Sequence, residues 1–511
     1  MSNVLRPPSL GPIVGHTTEK SVRVWIRGAE VGENRTVGVA ALYLKQKYVA
    51  GSVQYFRLHR EYDRTGCVDF EGLAPDTEYT VRTGSLTVDT TDALVSNGDD
   101  DVFKKLPKPN LLEGDLTLLP DEEAAARVRT FPAGKTKTLS FVFGSCRYPG
   151  VLWTKKRADV IFDSIYRRFT GEGGAANPRF FMMVGDQIYA DVLPKDLGVS
   201  VADTEEEFRD RYLSAFGAPN TRRLLANVPT YMILDDHEIE DNWVQGRIRI
   251  GEKRRLFNMA IGAYLSYQWF HGPRNYVNKL YYSFVVGGFP FFVVDGRTQR
   301  VRDDDDQELD DNHLLGRPGK GGDYEGQIDV LCGWLRTQQK TLGDAPKFVV
   351  TASVFAPNSV ESVDPGRKWK DDSWAAFPNT RRQLLKTITE NKIQNVVFLS
   401  GDIHCSNVAE IGFFDAEGKA TSLKAYSITS SAFYWPYPFS DGDPLGYVHD
   451  SHVEGDDFDI GNGYFMRYRA RDFEQDDNFT QVDVDWQNRV IRTRTFDKKG
   501  KQLGASTLKL A

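Results

Sequence analysis

Five apolar runs in this chain each stop on residue types that bind metals or move protons. Residues 139–143 run into Gly144, Ser145 and Cys146. Residues 180–184 run into Gly185 and Asp186, with Tyr189 and Asp191 just beyond. Residues 231–234 run into Asp235, Asp236, His237 and Glu238. Residues 289–294 run into Asp295 and Arg297, and residues 396–399 into Gly401, Asp402 and His404. Asp186, Asp236 and Asp402 offer hard oxygen donors, His404 an imidazole, Tyr189 a phenolate and Cys146 a thiolate. A divalent ion alone has no need of phenolate or thiolate. That donor set favours a strongly Lewis-acidic ion, iron(III) in particular, beside an all-oxygen site suited to a harder divalent ion. Two such metals bind a hydroxide at neutral pH and stabilise both the attacking and the leaving oxygen, which is what phosphoester hydrolysis most requires. Arg297, just past a strand end, has the planar fork that clamps phosphate oxygens.

Ligands at the ends of buried strands imply a scaffold that gathers distant residues at one edge of a sheet. From residue 136 to 511 the apolar runs alternate with helical stretches, the texture of an α/β domain. Ile161, Ile165 and Phe169 recur at helical spacing, as do Phe208, Tyr212 and Phe216, and then Leu256, Ala260, Ala263 and Tyr267. Gly287 and Gly288 between two apolar runs signal a hairpin, and the tail over 481–494 and 506–510 returns to β. Residues 1–135 read as all-β. Val22, Val24 and Ile26 alternate with Arg23, Trp25 and Arg27, a strand expected to bury one face. Residues 37–44 give a second strand and 128–131 the last one, with a polar, acidic excursion over 85–123 between them. Leu73, Pro75, Thr77 and Tyr79 match the LxPxTxY signature of fibronectin type III domains, where the tyrosine forms a corner of the β-sandwich.

The 511-residue length calls for more than one core. A net charge of −7 gives no general attraction to nucleic acid or acidic membranes. The cysteines, Cys67, Cys146, Cys332 and Cys405, have neither disulfide-framework nor CxxC spacing, which suits a reducing compartment. No stretch is long and apolar enough to span a bilayer. The first residues carry no charged and apolar leader, so the expectation is a cytoplasmic protein, or an exported one whose given chain is already trimmed.

Taken in order, GSC, GDxIYxD, DDHExxDN, DxR and GDxH resemble the alkaline phosphatase D (PhoD-like) branch of the calcineurin-like metallophosphatases. The opening GPIVGHTTEKSVRVWIRG resembles that family's N-terminal β-sandwich. The resemblance implies a four-layer α/β/β/α metallophosphatase sandwich behind an all-β domain. It also implies an Fe3+ ion held by Cys146, Asp186, Tyr189 and His404, with Asp186 bridging to one or two Ca2+ ions; Zn2+ or other divalent ions are alternatives. Asp236, Asn242 and Asp402 would complete the cluster. His237 would orient phosphate or protonate the leaving group, and Arg297 would contact phosphate. The expected activity is in-line attack of a metal-held hydroxide on a phosphomonoester or phosphodiester, in a small molecule or at a polymer end. A diester-selective enzyme is the close alternative. A surface-polymer binding protein with a purely structural metal is the alternative of another class. The family's twin-arginine export signal is not seen here, and the tail reads as strands where some members carry a lid helix.

Plainer readings cover the remaining residues. Asp235 and Asp236 adjoin, so their side chains are expected to diverge, Asp236 as ligand and Asp235 as a capping or supporting group. Glu238 and Asp241 are expected to support ligands rather than bind. His16, His59, His271, His313, His449 and His452 read as structural or surface groups. Residues 303–306 read as a solvated acidic loop. Arg247, Lys253, Arg254 and Arg255 either steer anions or open a solvated helix. The segment with Phe433, Tyr434, Trp435, Tyr437 and Phe439 is either a wall of the substrate cleft or a packed loop.

Overall fold

A computed structural model describes residues 4–29, 35–88, 106–149, 156–171, 177–191, 201–302, 311–319, 325–363, 372–437 and 442–511. The acidic run 303–306, Asp99–Asp101 of the excursion, and Phe439 lie outside them. At the N-terminal end a three-stranded sheet (Leu10–Thr17, Val22–Arg27, Thr65–Phe70) faces a six-stranded one. The latter is built on Arg35–Leu44 and Glu78–Val88, with Ala125–Arg129 along the second of these. The final strand therefore falls a few residues before its expected place. Val22, Val24, Ile26, Ala40, Leu42 and Val81 form the core between the sheets. The Tyr79 hydroxyl accepts a hydrogen bond from the Ala74 amide at 3.0 Å, the bond that a tyrosine corner makes.

Two further sheets pack face to face. In the first, Thr230–Ile233, Phe181–Val184 and Thr138–Gly144 run parallel, and Asn478–Asp485, Val490–Asp497 and Gln502–Lys509 extend the sheet antiparallel. In the second, Phe289–Val293, Lys347–Val350, Val396–Ser400 and Ala420–Thr429 run parallel within eight strands. Phe141, Phe180, Phe291, Phe348 and Leu399 interdigitate between them. Helices Arg157–Phe169, Glu205–Phe216, Pro219–Asn227 and Gly251–Tyr267 cover the outside of the first sheet, and Gln327–Leu342 and Pro378–Glu390 the outside of the second. The result is a four-layer α/β/β/α sandwich of the metallophosphatase kind, preceded by the all-β sheets. Because the central strands are parallel, all their carboxyl ends emerge along one edge. Among the described residues no helix is long and apolar enough to cross a membrane.

The expectation that Trp25 faces solvent does not hold. Val22, Val24 and Ile26 do point into the sandwich, but Trp25 is fully buried on the other face. It packs against Tyr267 at a ring separation of 5.8 Å and donates its indole N–H to the Ser266 carbonyl at 2.8 Å. Strand Val22–Arg27 thus has two buried faces, because its outer side docks on helix Gly251–Tyr267. The same seam holds Arg27, paired with buried Asp63, which also takes a hydrogen bond from Tyr267. Gly15 completes it: a Cβ there would stand 2.1 Å from the His271 carbonyl oxygen.

His271 itself gives the seam an acid sensitivity. Burial first, and then the Arg23 charge, push its imidazole down to about 3. A histidine depressed below its usual 6.5 leaves the unfolded chain binding more protons than the folded one once pH drops below that value. Stability assigned to this residue is therefore unaffected above about pH 6.5 and falls by up to about 1.4 kcal/mol per unit between there and about pH 3. Measured by denaturant unfolding, His271→Leu is expected to gain about 2 kcal/mol on its parent between pH 7 and pH 5. A pH-independent difference would show that the ring is not held neutral.

Candidate active site

Several of the strand-end loops turn sharply, at residues the sequence singles out. Cys146, Asp186, Asn242, Asp402 and His404 all have left-handed backbones, with φ of 58°, 57°, 54°, 72° and 51°. Residues other than glycine rarely adopt this conformation, and it persists only where surrounding structure holds it. Gly185, at φ 105°, makes room: a Cβ on it would meet that of Asp235 at 2.7 Å. Backbone bonds stitch the first two turns together, Cys146 N–H to the Gly185 carbonyl at 3.1 Å and Arg147 N–H to that of Asp186 at 2.8 Å.

The side chains converge. Asp186, Asp235, Asp236 and Asp402 each present an oxygen within 4.8 Å of the others, and Asp186, Asp236 and His237 form a second such group. Cys146 Sγ lies 3.4 Å from Asp186 Oδ2, the Tyr189 hydroxyl 3.3 Å from the same oxygen, and His404 Nε2 3.5 Å from that hydroxyl. Ser431 Oγ, which the sequence reading missed, contacts Cys146 Sγ at 3.2 Å. Among the described residues, Asp186 Oδ1, Asp235 Oδ2 and His404 Nδ1 are buried without a hydrogen-bond partner. Buried polar atoms are seldom left so, and these are the donor types of the expected ligands.

Crowding shows in the protonation. Burial pushes the Asp186 carboxyl well up; His237 pulls it down, while Asp235, Asp236 and Glu238 push it further. Burial and the charges of Asp235, Asp372 and Asp236 do the same at Asp402. Burial also raises the Cys146 thiol and the Tyr189 phenol well above their usual values, helped by Asp186 at both. Asp236 stays low: burial opposes its ionisation, but Arg297, His237 and the Asn242 amide outweigh it. So much negative charge in a dry site is what a bound cation relieves.

Three placements differ from expectation. Asp235 does not turn away; both it and Asp236 present oxygens to the cluster, and Arg297 pairs with both. Arg297 has no exposure. Its Nε pairs with Asp235, and its Nη2 with Asp372 and, at 3.4 Å, with Asp236. It is therefore a buried strut under the carboxylates rather than an open phosphate clamp. Asp372, which nothing in the sequence marks, also binds Arg300. Asn242 supports Asp236 through its backbone N–H at 2.7 Å, while its side chain bonds Asp241. The basic cluster near 250 is partly neutralised, since Arg247 and Lys253 both pair with Glu240.

His237 stacks on Tyr189 at 4.3 Å and pairs through Nδ1 with Asp191 at 2.8 Å. Burial disfavours its charged form, but Asp236, Asp186 and Asp191 together raise it well above the usual range. Glu238 is fully buried and accepts from the amides of Gln187 (2.7 Å), Asp235 (2.9 Å), Asp186 (3.2 Å) and Ile188 (3.3 Å). The aromatic segment divides: Phe433 enters the helix-side core, Tyr434 packs with Tyr148 and Tyr189, and Trp435 stacks on His404 at 3.7 Å.

A four-layer sandwich with buried carboxylates gathered where parallel strands end defines an α/β protein whose candidate site lies at that sheet edge. Comparison with known proteins agrees. The family model described as PhoD-like phosphatase matches residues 156–441, more than half of the chain. The chain belongs to the PhoD-like phosphatase family. Alkaline phosphatase D of Bacillus subtilis (strain 168) is 24% identical over 313 residues, which cover 54% of this chain and 49% of that protein. The chain thus spans about half the length of the curated relative it matches. A solved structure described as "Structure of PhoD" shares the fold at a TM-score of 0.63, with 16% identity over 98% of this chain and 89% of that one.

Proposed function

We propose that the protein is a metal-dependent phosphoester hydrolase acting on phosphomonoesters or phosphodiesters. The observation that carries the reading is the set of Asp186, Asp235, Asp236 and Asp402 oxygens within 4.8 Å of one another, two of these residues held in left-handed backbone. Family membership supports it. Cys146, Asp186, Tyr189 and His404 would hold an iron(III) ion. Asp186, Asp236 and Asp402, joined by Asp235, would hold calcium or another hard divalent ion, with Asn242 fixing Asp236. Bound there, the ions would supply Lewis-acid stabilisation of the phosphoryl oxygens and make an attacking water more acidic.

The chain's own groups supply the rest. Asp191 fixes the His237 ring through Nδ1, which leaves Nε2 to hold a proton for the departing ester oxygen. Arg297 favours the ionised forms of Asp235 and Asp236 against their burial, and its pairing aims both. Substrate is a small phosphoester or a polymer end. Residues 1–135 are read as a fibronectin-like sandwich and 136–511 as the catalytic unit, a division supported by the Tyr79 corner and by strand pairing within each part.

Chelation tests the function. Dialysis against a strong chelator should abolish hydrolysis of both mono- and diester substrates, and restored ions should bring it back. Iron(III)-loaded protein should show a visible tyrosinate charge-transfer band. A colourless protein holding only zinc would remove the iron assignment. Full turnover in rigorously metal-free protein would remove metal dependence altogether.

A further inference from the structure

A cleft of about 520 Å³ opens beside His404. One wall is aromatic. Trp435 lies on the His404 ring, tilted by 16°, and Tyr437 stands edge-on to Trp435 at 5.2 Å. Tyr437 is 47% exposed, yet its hydroxyl is anchored on that of Tyr148 at 2.8 Å. An exposed tyrosine pinned at its polar tip presents its ring rather than its hydroxyl. Among the polar lining residues, three are engaged within the protein. Asp477 takes the Trp435 amide at 3.1 Å and Lys498 Nζ at 2.7 Å, and Gln475 donates to the Gly442 carbonyl at 2.6 Å. Asp476, Asp497 and Lys499 also line the cleft, and beside these polar groups Trp435 and Tyr437 offer a ligand ring surface next to His404.

We propose that this shelf, Trp435 and Tyr437, receives the alcohol portion of the substrate and selects phosphoesters whose alcohol carries a planar ring, of aryl or nucleoside type, over alkyl esters. The proposal rests on the phosphoester-hydrolase reading. A ring gains contact with both aromatic side chains through stacking and edge packing, and a flexible alkyl group does not. Trp435 also holds His404, so Tyr437 is the cleaner probe.

The measurement is kcat/KM for phenyl phosphate and for glycerol 1-phosphate, with thymidine 5′-monophosphate as a nucleoside ester, in the metal-loaded protein. The ratio of ring-bearing to alkyl substrate is compared between variant and parent, so intrinsic leaving-group reactivity cancels. Tyr437→Leu should lower that ratio about tenfold, through KM rather than kcat. Tyr437→Phe, which keeps the ring and loses the anchor, should keep most of the preference. An unchanged ratio in Tyr437→Leu, or an equal loss on both substrate classes, overturns the subsite while leaving the hydrolase intact. A parent that turns over neither class overturns the underlying reading instead.

Discussion

Replacing Asp186 with Asn is expected to lower phosphoester turnover by about 10³-fold or more, since loss of even one oriented group at a reacting centre costs 10²–10³. The metal-free variant is expected to be at least as stable as its parent. Both outcomes follow from the same geometry. Asp186 is 1% exposed, shares Oδ2 with Cys146 and Tyr189, and leaves Oδ1 without a partner among the described residues. Without a cation, its charge faces the carboxylates of Asp235, Asp236 and Glu238, and burial already drives it toward the protonated form. A neutral side chain of the same shape removes that repulsion and takes away one of the two groups, with Asp236, that the two ligand clusters share. Sites that hold like charges together give up stability for function. Turnover and denaturant unfolding of the chelated proteins check this directly. Full activity in the variant would remove Asp186 from the site. A lowered midpoint in the metal-free state would show that its ionised carboxylate stabilises the fold and is not a ligand held at a cost.

The contrast between what the sequence displays and what it hides has a physical basis. Runs that end on Cys146, Asp186, Asp235, Asp295 and Asp402 are visible because parallel strands buried on both faces read as continuous apolar segments, and polarity returns where they surface. The helices over Arg157–Phe169 and Glu205–Phe216 show through their apolar spacing. The left-handed backbones at Cys146, Asp402 and His404 do not, because strain at residues other than glycine leaves no composition signal. Trp25 looked like a solvent-side residue because alternation reports one interface, and its strand has a second supplied by helix Gly251–Tyr267. Position past a strand end, which is local information, points Arg297 toward phosphate. Its burial against Asp372, 75 residues away in the chain, is not local. Glu238 was legible as a supporting residue, but not the loop it supports.

That support sets the second expected result. Glu238→Gln should weaken metal binding about 10- to 100-fold, the usual cost of losing a group that orients ligands, and lower turnover in step at limiting metal. The carboxylate gathers four backbone N–H groups from the two loops that carry Asp186 and Asp235–Asp236, and a fifth donor from Gln268 at 3.3 Å. Every one of those groups donates. Burial pushes the Glu238 carboxyl up to about 8, the Asp235 amide and charge act in opposite directions, and the Gln187 and Ile188 amides pull it back. An amide in its place keeps the volume but turns an N–H2 group onto N–H donors, so one loop loses its acceptor and shifts relative to the other. Glu238→Ala leaves the four backbone N–H groups without this acceptor in a site with no exposure, and should destabilise the fold by roughly 3–5 kcal/mol as a result. The two variants separate positioning from folding. If Glu238→Gln unfolds near its parent's midpoint and regains turnover when metal is raised, the residue acts by placing the ligand loops. Parental metal affinity and turnover in Glu238→Gln would show that the loops hold their geometry without it.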